Sequence, residues 1–239
     1  MAKQRGPVAS YFSGKVGEVV GASLKGGEYT TRTYKKHIKN PNTLRQRVSR
    51  LRMSTAAKLA AGLAPAIQAG FGKAAGSTHM YPRNMFVRDI VKFSANSPLT
   101  VEGEIANVDY GSLKVSERVG ISAVPVIGAP SFETPKQVSL TVTGQPVVDV
   151  LPAGKMGLVV VVYSPDNEAC VINMVGAPAS GSTTVNVAVP SSFSSMTVYV
   201  FAFYKWIPES ANDVATDAEP WKYPAETGAT VFVGSGNVA

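Results

Sequence analysis

The chain has 239 residues, a formal net charge of +7, 45% apolar residues and 16% charged residues, a composition that excludes a disordered chain and a coiled coil. One cysteine, Cys170, excludes an internal disulfide framework, and two histidines leave little material for a zinc site or for general-base catalysis. No stretch approaches the roughly 20 apolar residues that a membrane span needs, and the N-terminus has no apolar segment typical of a signal peptide. We therefore expect a protein that is made in a reducing cytoplasm and is used there or assembled into something larger.

The charge is divided unevenly along the chain. Residues 1–92 carry seventeen lysines and arginines and three acids, a net charge of +14, whereas residues 93–239 carry a net charge of −7. Because like charges repel one another in a compact state, the excess in the first part predicts an anionic partner nearby. That partner is nucleic acid, a phospholipid surface or an acidic protein, and the acidic half of another copy is one such protein.

The composition predicts a domain boundary near residue 95. Residues 1–95 are expected to form a basic arm, a β-hairpin and helices, and residues 96–239 to form a β-sandwich. Residues 1–12 lack periodicity and are typical of an extended arm. Two runs rich in Val, Thr and Tyr flank Gly26-Gly27, which supplies the positive φ of a tight turn, so we predict a hairpin over residues 16–34.

Three helices are predicted in the first part. Thr43 and Gln46 stand in the positions of a capping box, and the apolar residues that follow recur every 3.6 positions, which predicts a helix over 43–62. Pro65 interrupts the pattern and starts a second helix that we expect to end at Gly70 and Gly72. A third helix is predicted from Pro82 to about residue 93.

The second part has the pattern of an antiparallel β-sandwich. Short Val-rich runs alternate with turns rich in Gly, Pro, Ser and Asp, and no helix separates them. The predicted strands cover residues 113–115, 121–127, 137–142, 156–163, 169–174, 183–189, 196–206 and 230–233. The run at 197–206 is aromatic on both faces, as in a central strand under a covering layer. The fold class is therefore α+β with an immunoglobulin-like sandwich of about seven strands.

The candidate contact residues are the lysines and arginines of the first part. On a helix that starts at residue 43, arginines flank the apolar stripe on both sides, which suits a helix lying across phosphates as well as a packed helix with solvated arginines. The candidates for contact with nucleic acid or a protein partner are Lys3, Arg5, Lys15, Lys25, Arg32, Lys35, Lys36, Lys39, Arg45, Arg47, Arg50 and Arg52. No catalytic residue and no metal ligand is predicted.

Several segments resemble a family of uncharacterised proteins. The sequence GKVGEVVG at 14–21, followed by NPNTLRQ at 40–46 and by Arg50, is similar to the opening of domain-of-unknown-function proteins from Bacteroidota and their phages, which read GKxGxVVG and then NPxTxxQxxxR. Leu24 stands where that family usually has tryptophan, and residues 207–227 resemble an acidic insertion. The resemblance implies a phage-associated origin and no catalytic residues.

These observations favour a non-enzymatic structural protein of a bacteriophage particle, located in the virion and assembled in the cytoplasm of the bacterial host. Its expected partners are further copies of itself or other virion proteins, with genomic nucleic acid as a further partner and no membrane span. No cofactor is expected. The alternative is a protein- or glycan-binding module in which the sandwich recognises the ligand and the basic part is an anchor.

Overall fold

The computed structural model describes residues 2–4, 14–16, 18–23, 29–34, 42–92, 97–144, 154–178, 180–208 and 225–239. It divides the chain into two compact units, Met1–Gln46 and Arg47–Ala239.

The first unit is built on a four-stranded antiparallel sheet. Its strands are β1 (Ala2–Gln4), β2 (Gly14–Val16), β3 (Val19–Ser23) and β4 (Tyr29–Thr33), in the order β1-β4-β3-β2. The pairing of β3 with β4 confirms the predicted hairpin, whose turn at residues 24–28 lies outside the described residues. The first residues, predicted as an arm, supply the edge strand β1.

Three helices follow. They are α1 (Leu44–Gly62), α2 (Ala64–Ser77) and α3 (Pro82–Val91). The capping box is confirmed, because the Thr43 backbone N–H donates to Gln46 Oε1 at 3.2 Å and the Gln46 N–H donates to Thr43 Oγ1 at 3.4 Å. Pro65 lies in the first turn of α2, where it costs no helical hydrogen bond.

The predicted end of the second helix is wrong, because α2 continues to Ser77. Gly70 does not terminate this helix; it lies where the helix backbone meets the chain at Val115 and Ser116. The absence of a side chain at Gly70 permits this close approach, so tertiary packing overrides its low helix propensity.

Nine strands are formed by the described residues of the second unit. They are β5 (Leu99–Glu102), β6 (Ile105–Val108), β7 (Val126–Ile127), β8 (Gln137–Thr143), β9 (Gly154–Ser164), β10 (Ala169–Gly176), β11 (Ser182–Ala188), β12 (Thr197–Pro208) and β13 (Val231–Asn237). Two short 3₁₀-helices lie at Tyr110–Ser112 and Ser191–Phe193. The pair β5-β6 was not predicted, and residues 113–115, predicted as a strand, are not one. Of the predicted strand at 121–127, only Val126–Ile127 is formed.

The strands form one four-stranded, one three-stranded and one two-stranded sheet. Their orders are β10-β9-β12-β13, β11-β8-β7 and β5-β6, and every pair is antiparallel. Three helices with antiparallel sheets confirm the α+β class. No helix of the described ranges is long and apolar enough to cross a membrane.

The four-stranded sheet of the second unit, β10-β9-β12-β13, lies between two hydrophobic cores. One face of its central strands, including Val159, Val161 and Phe203, packs with the buried side chains of the helices. The opposite face, including Leu158 and Val160, packs with the inner side chains of β8 and β11. Since successive strand residues point to opposite faces, a strand buried on both faces is a continuous apolar run, as β9 is.

The division of the structure does not coincide with the boundary predicted near residue 95. The helices that precede that boundary supply Ala56, Ile67 and Phe86 to the same core as Val159 and Phe201 of the sheet. The helices and the antiparallel sheets therefore belong to one unit, and the change of composition near residue 95 marks a change of secondary structure within it.

Candidate functional site

The first unit carries the whole net charge of the protein. Residues 1–46 contain nine lysines and arginines and two acids, a net charge of +7, whereas residues 47–239 contain fourteen of each. In the second unit the net charge of +7 on residues 47–92 is balanced by the −7 of residues 93–239, whereas the first unit has no acidic region of its own. We therefore look for an anionic partner first at the first unit.

The strand register places two predicted contact residues on one face of the first unit's sheet. Lys15 of β2 lies opposite Val20 of β3, and Val20 lies opposite Arg32 of β4. Residues directly opposite one another in adjacent strands share a face, so Lys15 and Arg32 are in one row across three strands. Both side chains are exposed.

An aromatic residue completes this face. Tyr34 follows β4 two residues after Arg32, its backbone N–H donates to the Glu18 carbonyl oxygen at 2.5 Å, and its side chain is 41% exposed. The Lys15 ammonium lies 3.7 Å from the centre of the Tyr34 ring, a cation–π contact. We call Lys15, Arg32 and Tyr34 the basic face; it presents two cations beside a partly exposed ring.

The sequence did not single out Tyr34. A signal was present, because Tyr34 and Arg32 are two residues apart in a run that reads as a strand, and residues with that spacing lie on the same face. The cation–π partner, by contrast, comes from β2 and requires the register of the sheet.

The arginines of α1 have different environments. Arg45, in the first unit, is exposed. Arg47 donates from Nη1 to Glu104 Oε1 at 2.7 Å, so its charge is already paired within the second unit. Arg50 is exposed and has an interaction within the protein. The helix therefore does not present a uniform row of unpaired cations.

Arg52 is not a surface residue. Only 6% of it is exposed, and Nη2 donates to the Lys92 carbonyl oxygen and to Ser97 Oγ, each at 3.1 Å. Ser97 Oγ in turn donates to the Ile90 carbonyl oxygen at 2.9 Å. The expectation that Arg52, on one flank of the apolar stripe, is available to a partner is corrected here, because Lys92 and Ser97 bind its guanidinium inside the protein.

The structure does not describe the side chains of the six remaining candidate contact residues. Arg5, Lys25, Lys35, Lys36 and Lys39 lie outside the described residues. Lys3 lies in β1, where its backbone is opposite Thr30 of β4.

Lys205, in the described part of the second unit, is a buried cation with a perturbed pKa. Lys205 of β12 has no exposed surface, and its Nζ donates to the Ala69 carbonyl oxygen at 3.0 Å. Burial lowers its pKa to about 8, because the charged form loses its hydration. Thr227 Oγ1 donates nearby to the Glu117 carbonyl oxygen at 2.6 Å and to that of Gly70 at 3.3 Å. These bonds join α2 to the sheet and serve its packing.

The fold and the basic face define a two-unit α+β protein with a cationic sheet in one unit and helices packed on antiparallel sheets in the other. The chain belongs to the Family of unknown function (DUF6266), whose model matches residues 11–218. No curated protein and no solved structure matches it. The match confirms a family of unknown function, while the Bacteroidota and phage origin stays a prediction.

Proposed function

We propose that this chain is a non-enzymatic structural protein of a bacteriophage particle, and that its basic face contacts the genomic nucleic acid. The observation that carries the proposal is the row formed by Lys15 and Arg32 beside the exposed Tyr34 ring. Lysine and arginine bind phosphate, and an exposed aromatic ring offers a base a surface for stacking. An acidic neighbouring subunit is the alternative partner for the same cations.

The second unit suits the body of a particle subunit. Its central strands are buried on both faces, so a rigid sheet lies between two apolar cores. We propose that β7 to β13 form an immunoglobulin-like sandwich. One sheet has the order β11-β8-β7 and the other the order β10-β9-β12-β13. The fourth of these seven strands in chain order, β10, pairs with β9 in the second sheet and not with β11 in the first.

Binding to nucleic acid is tested by its salt dependence. Each phosphate contact releases counterions and makes the slope of log affinity against log salt steeper by about 0.9. The double variant Lys15→Ala/Arg32→Ala removes two contacts and is expected to make the slope shallower by about 2. The measurement is fluorescence anisotropy with labelled single-stranded and duplex DNA and RNA between low and physiological salt.

The matched control removes the same charge from the other unit. Lys58 and Arg88 have exposed side chains in the second unit, and the described residues pair them with Glu168 and Asp89. Lys58→Ala/Arg88→Ala should leave the slope unchanged. An equal change in both double variants would mean that net charge alone governs binding, and no retention of any nucleic acid at low salt would exclude genome contact.

The structural role is tested by assembly. Light scattering of the purified chain is expected to detect oligomers, and deletion of residues 1–40 is expected to abolish them. A monomer at high concentration that is indifferent to this deletion would favour the binding module. Electron microscopy of the native particle with a labelled chain would locate the subunit.

A further inference from the structure

A cluster of aromatic rings lies at one end of the helix-covered face of the four-stranded sheet. Tyr163 of β9 is directly opposite Tyr199 of β12, and Tyr110 stacks on Tyr199 with ring centres 4.1 Å apart and planes 28° apart. Tyr110 also lies 6.0 Å from Tyr163, and Phe232 of β13 lies 6.4 Å from Tyr199. Tyr163 is only 2% exposed, while Tyr110, Tyr199 and Phe232 are partly exposed. The buried Tyr163 ring therefore lies beneath three aromatic rings that are partly exposed to solvent.

The surface is held rigidly. Tyr110 begins the short 3₁₀-helix Tyr110–Ser112, and the Asp109 carboxylate caps it by accepting from the Gly111 N–H at 3.0 Å and from Ser112 Oγ at 2.5 Å. Fixed rings lose little conformational freedom when a ligand stacks on them, which favours binding.

Polar groups border the rings. The turn after β9 carries Asp166, whose side chain is exposed and has no ion pair among the described residues. Burial, then Tyr199, then Asp166 raise the pKa of Tyr110. Its phenol, like that of any tyrosine, is protonated at neutral pH and can donate a hydrogen bond to a ligand. The border thus offers a carboxylate acceptor and a phenol donor.

The charge of this border favours a ligand without net charge. A phosphate would be repelled by the Asp166 carboxylate, which disfavours nucleic acid at this place. Glu168 pairs with Lys58 at 3.8 Å, which offsets part of the negative charge near the rings, and the Asp109 carboxylate accepts two hydrogen bonds from its own turn. The Asp166 carboxylate is available to accept hydrogen bonds from sugar hydroxyl groups. A cationic peptide is the rival ligand, and competition with hexalysine distinguishes the two.

We propose that Tyr110, Tyr199 and Asp166 form a binding site for a neutral carbohydrate. A pyranose ring presents an apolar C–H face that packs on an aromatic ring, and its edge carries hydroxyls that donate to a carboxylate and accept from a phenol. This site is separate from the basic face and does not depend on the nucleic-acid contact.

The test is titration of the full chain with neutral oligosaccharides. Isothermal titration calorimetry or saturation-transfer NMR with chito-, cello-, malto- and mannohexaose is expected to detect binding to at least one of them. Tyr110→Ala should weaken that binding about tenfold, the ratio that a stacking contact of ~1.4 kcal/mol produces. Asp166→Asn, an exposed change that leaves the core intact, should weaken it as well, and Tyr110→Phe should retain most of the stacking.

The matched control is Tyr81→Ala. Tyr81 is 59% exposed and lies before α3, outside the aromatic cluster, so its loss should leave binding unchanged. No binding to any of the four sugars would overturn the proposal, and so would equal losses in Tyr81→Ala and Tyr110→Ala. Binding of a hexalysine peptide that Asp166→Asn abolishes, with none of the four sugars competing for it, would identify a cation site instead and would also overturn the proposal.

Discussion

Lys205 of β12 donates a hydrogen bond from Nζ to the backbone carbonyl oxygen of Ala69 in α2, 3.0 Å away, and neither residue has solvent-exposed surface. A long cationic side chain thus joins a helix to the middle of the sheet inside the second unit. A buried ammonium ion costs hydration energy that hydrogen bonds such as this one recover only in part. Because burial disfavours the charged form of Lys205, the free energy of unfolding depends on pH through this residue.

We predict that the free energy of unfolding rises with pH between about 8 and 10.5 through Lys205. Burial lowers the pKa of Lys205 to about 8 from an ordinary value of 10.5, so in this interval the unfolded chain binds more protons than the folded chain. Below this interval both states are protonated and the contribution is constant. The difference amounts to roughly 3 kcal/mol over the full interval.

Lys205→Met isolates this contribution because it keeps an unbranched side chain only one atom shorter and removes the titrating group. The measurement is urea unfolding of both proteins at several pH values. Cysteine and tyrosine titrate in both proteins and cancel in the comparison. A constant difference in stability between the two proteins from pH 7.5 to 10 would show that Lys205 is not desolvated.

The close approach at Gly70 gives a second prediction. A Cβ atom at Gly70 would overlap the Val115 carbonyl oxygen and lie 2.6 Å from Ser116 Cα, both of which are backbone atoms that cannot rotate away. Gly70→Ala should therefore force α2 off the neighbouring chain and destabilise the protein by about 3 kcal/mol or more. Gly70 also accepts from the Glu117 N–H at 3.2 Å, a bond that the same displacement would lengthen.

Gly76 provides the control in the same helix, because nothing lies within 4 Å of its Cβ position. Gly76→Ala should stabilise the protein by up to about 1 kcal/mol through helix propensity alone. Thermal or urea unfolding distinguishes the two variants. Equal effects would show that α2 does not meet the 115–117 segment as closely as the structure places it.

Periodicity predicted most of the regular elements. The bounds of α1 and α3 and of the long strands β9, β10 and β12 were within a few residues of the structure, because each is a sustained apolar pattern with clear end signals. The end of α2 and the missing strand at 113–115 were not predictable in this way. Both depend on the contact of Gly70 with a segment more than forty positions away, which has no local signature.

The charge pattern of the sequence predicted which residues belong to the basic face, but it did not predict how they are arranged. Lys15 and Arg32 were among the expected contacts, and their sharing of a face follows from a register that the sequence alone does not fix. Arg52 shows the opposite case. Helical spacing puts Arg52 beside the apolar stripe of α1. Whether that flank faces water depends on which residues pack there, and in the structure Lys92 and Ser97 bind Arg52.

The single cysteine gives a third prediction. Burial raises the pKa of Cys170 from 9.0 to about 11, since β10 places the thiol against the helix-covered core. The thiolate is the reactive form, so alkylation of the folded protein by iodoacetamide at pH 8 should be about a hundredfold slower than that of the urea-unfolded chain. The rate of the folded protein should still be rising at pH 10. A rate that levels off near pH 9 would contradict a desolvated thiol.

The fourth prediction separates a structural arginine from an exposed one. Arg52→Ala removes the donor that the Lys92 carbonyl oxygen and Ser97 Oγ share, in a place that water does not reach freely, and should destabilise the protein by about 2–4 kcal/mol. Arg50→Ala removes the same charge two positions earlier from an exposed side chain and should change stability by no more than about 0.5 kcal/mol.

Urea unfolding measures both variants, and nucleic-acid binding of Arg52→Ala at a temperature where it is folded gives the second readout. Because the Arg52 guanidinium is bound inside the protein, its loss should leave the salt slope of the wild type unchanged. A stable Arg52→Ala variant with a shallower slope would mean that Arg52 turns outward to a phosphate, and it would restore the expectation drawn from helical spacing.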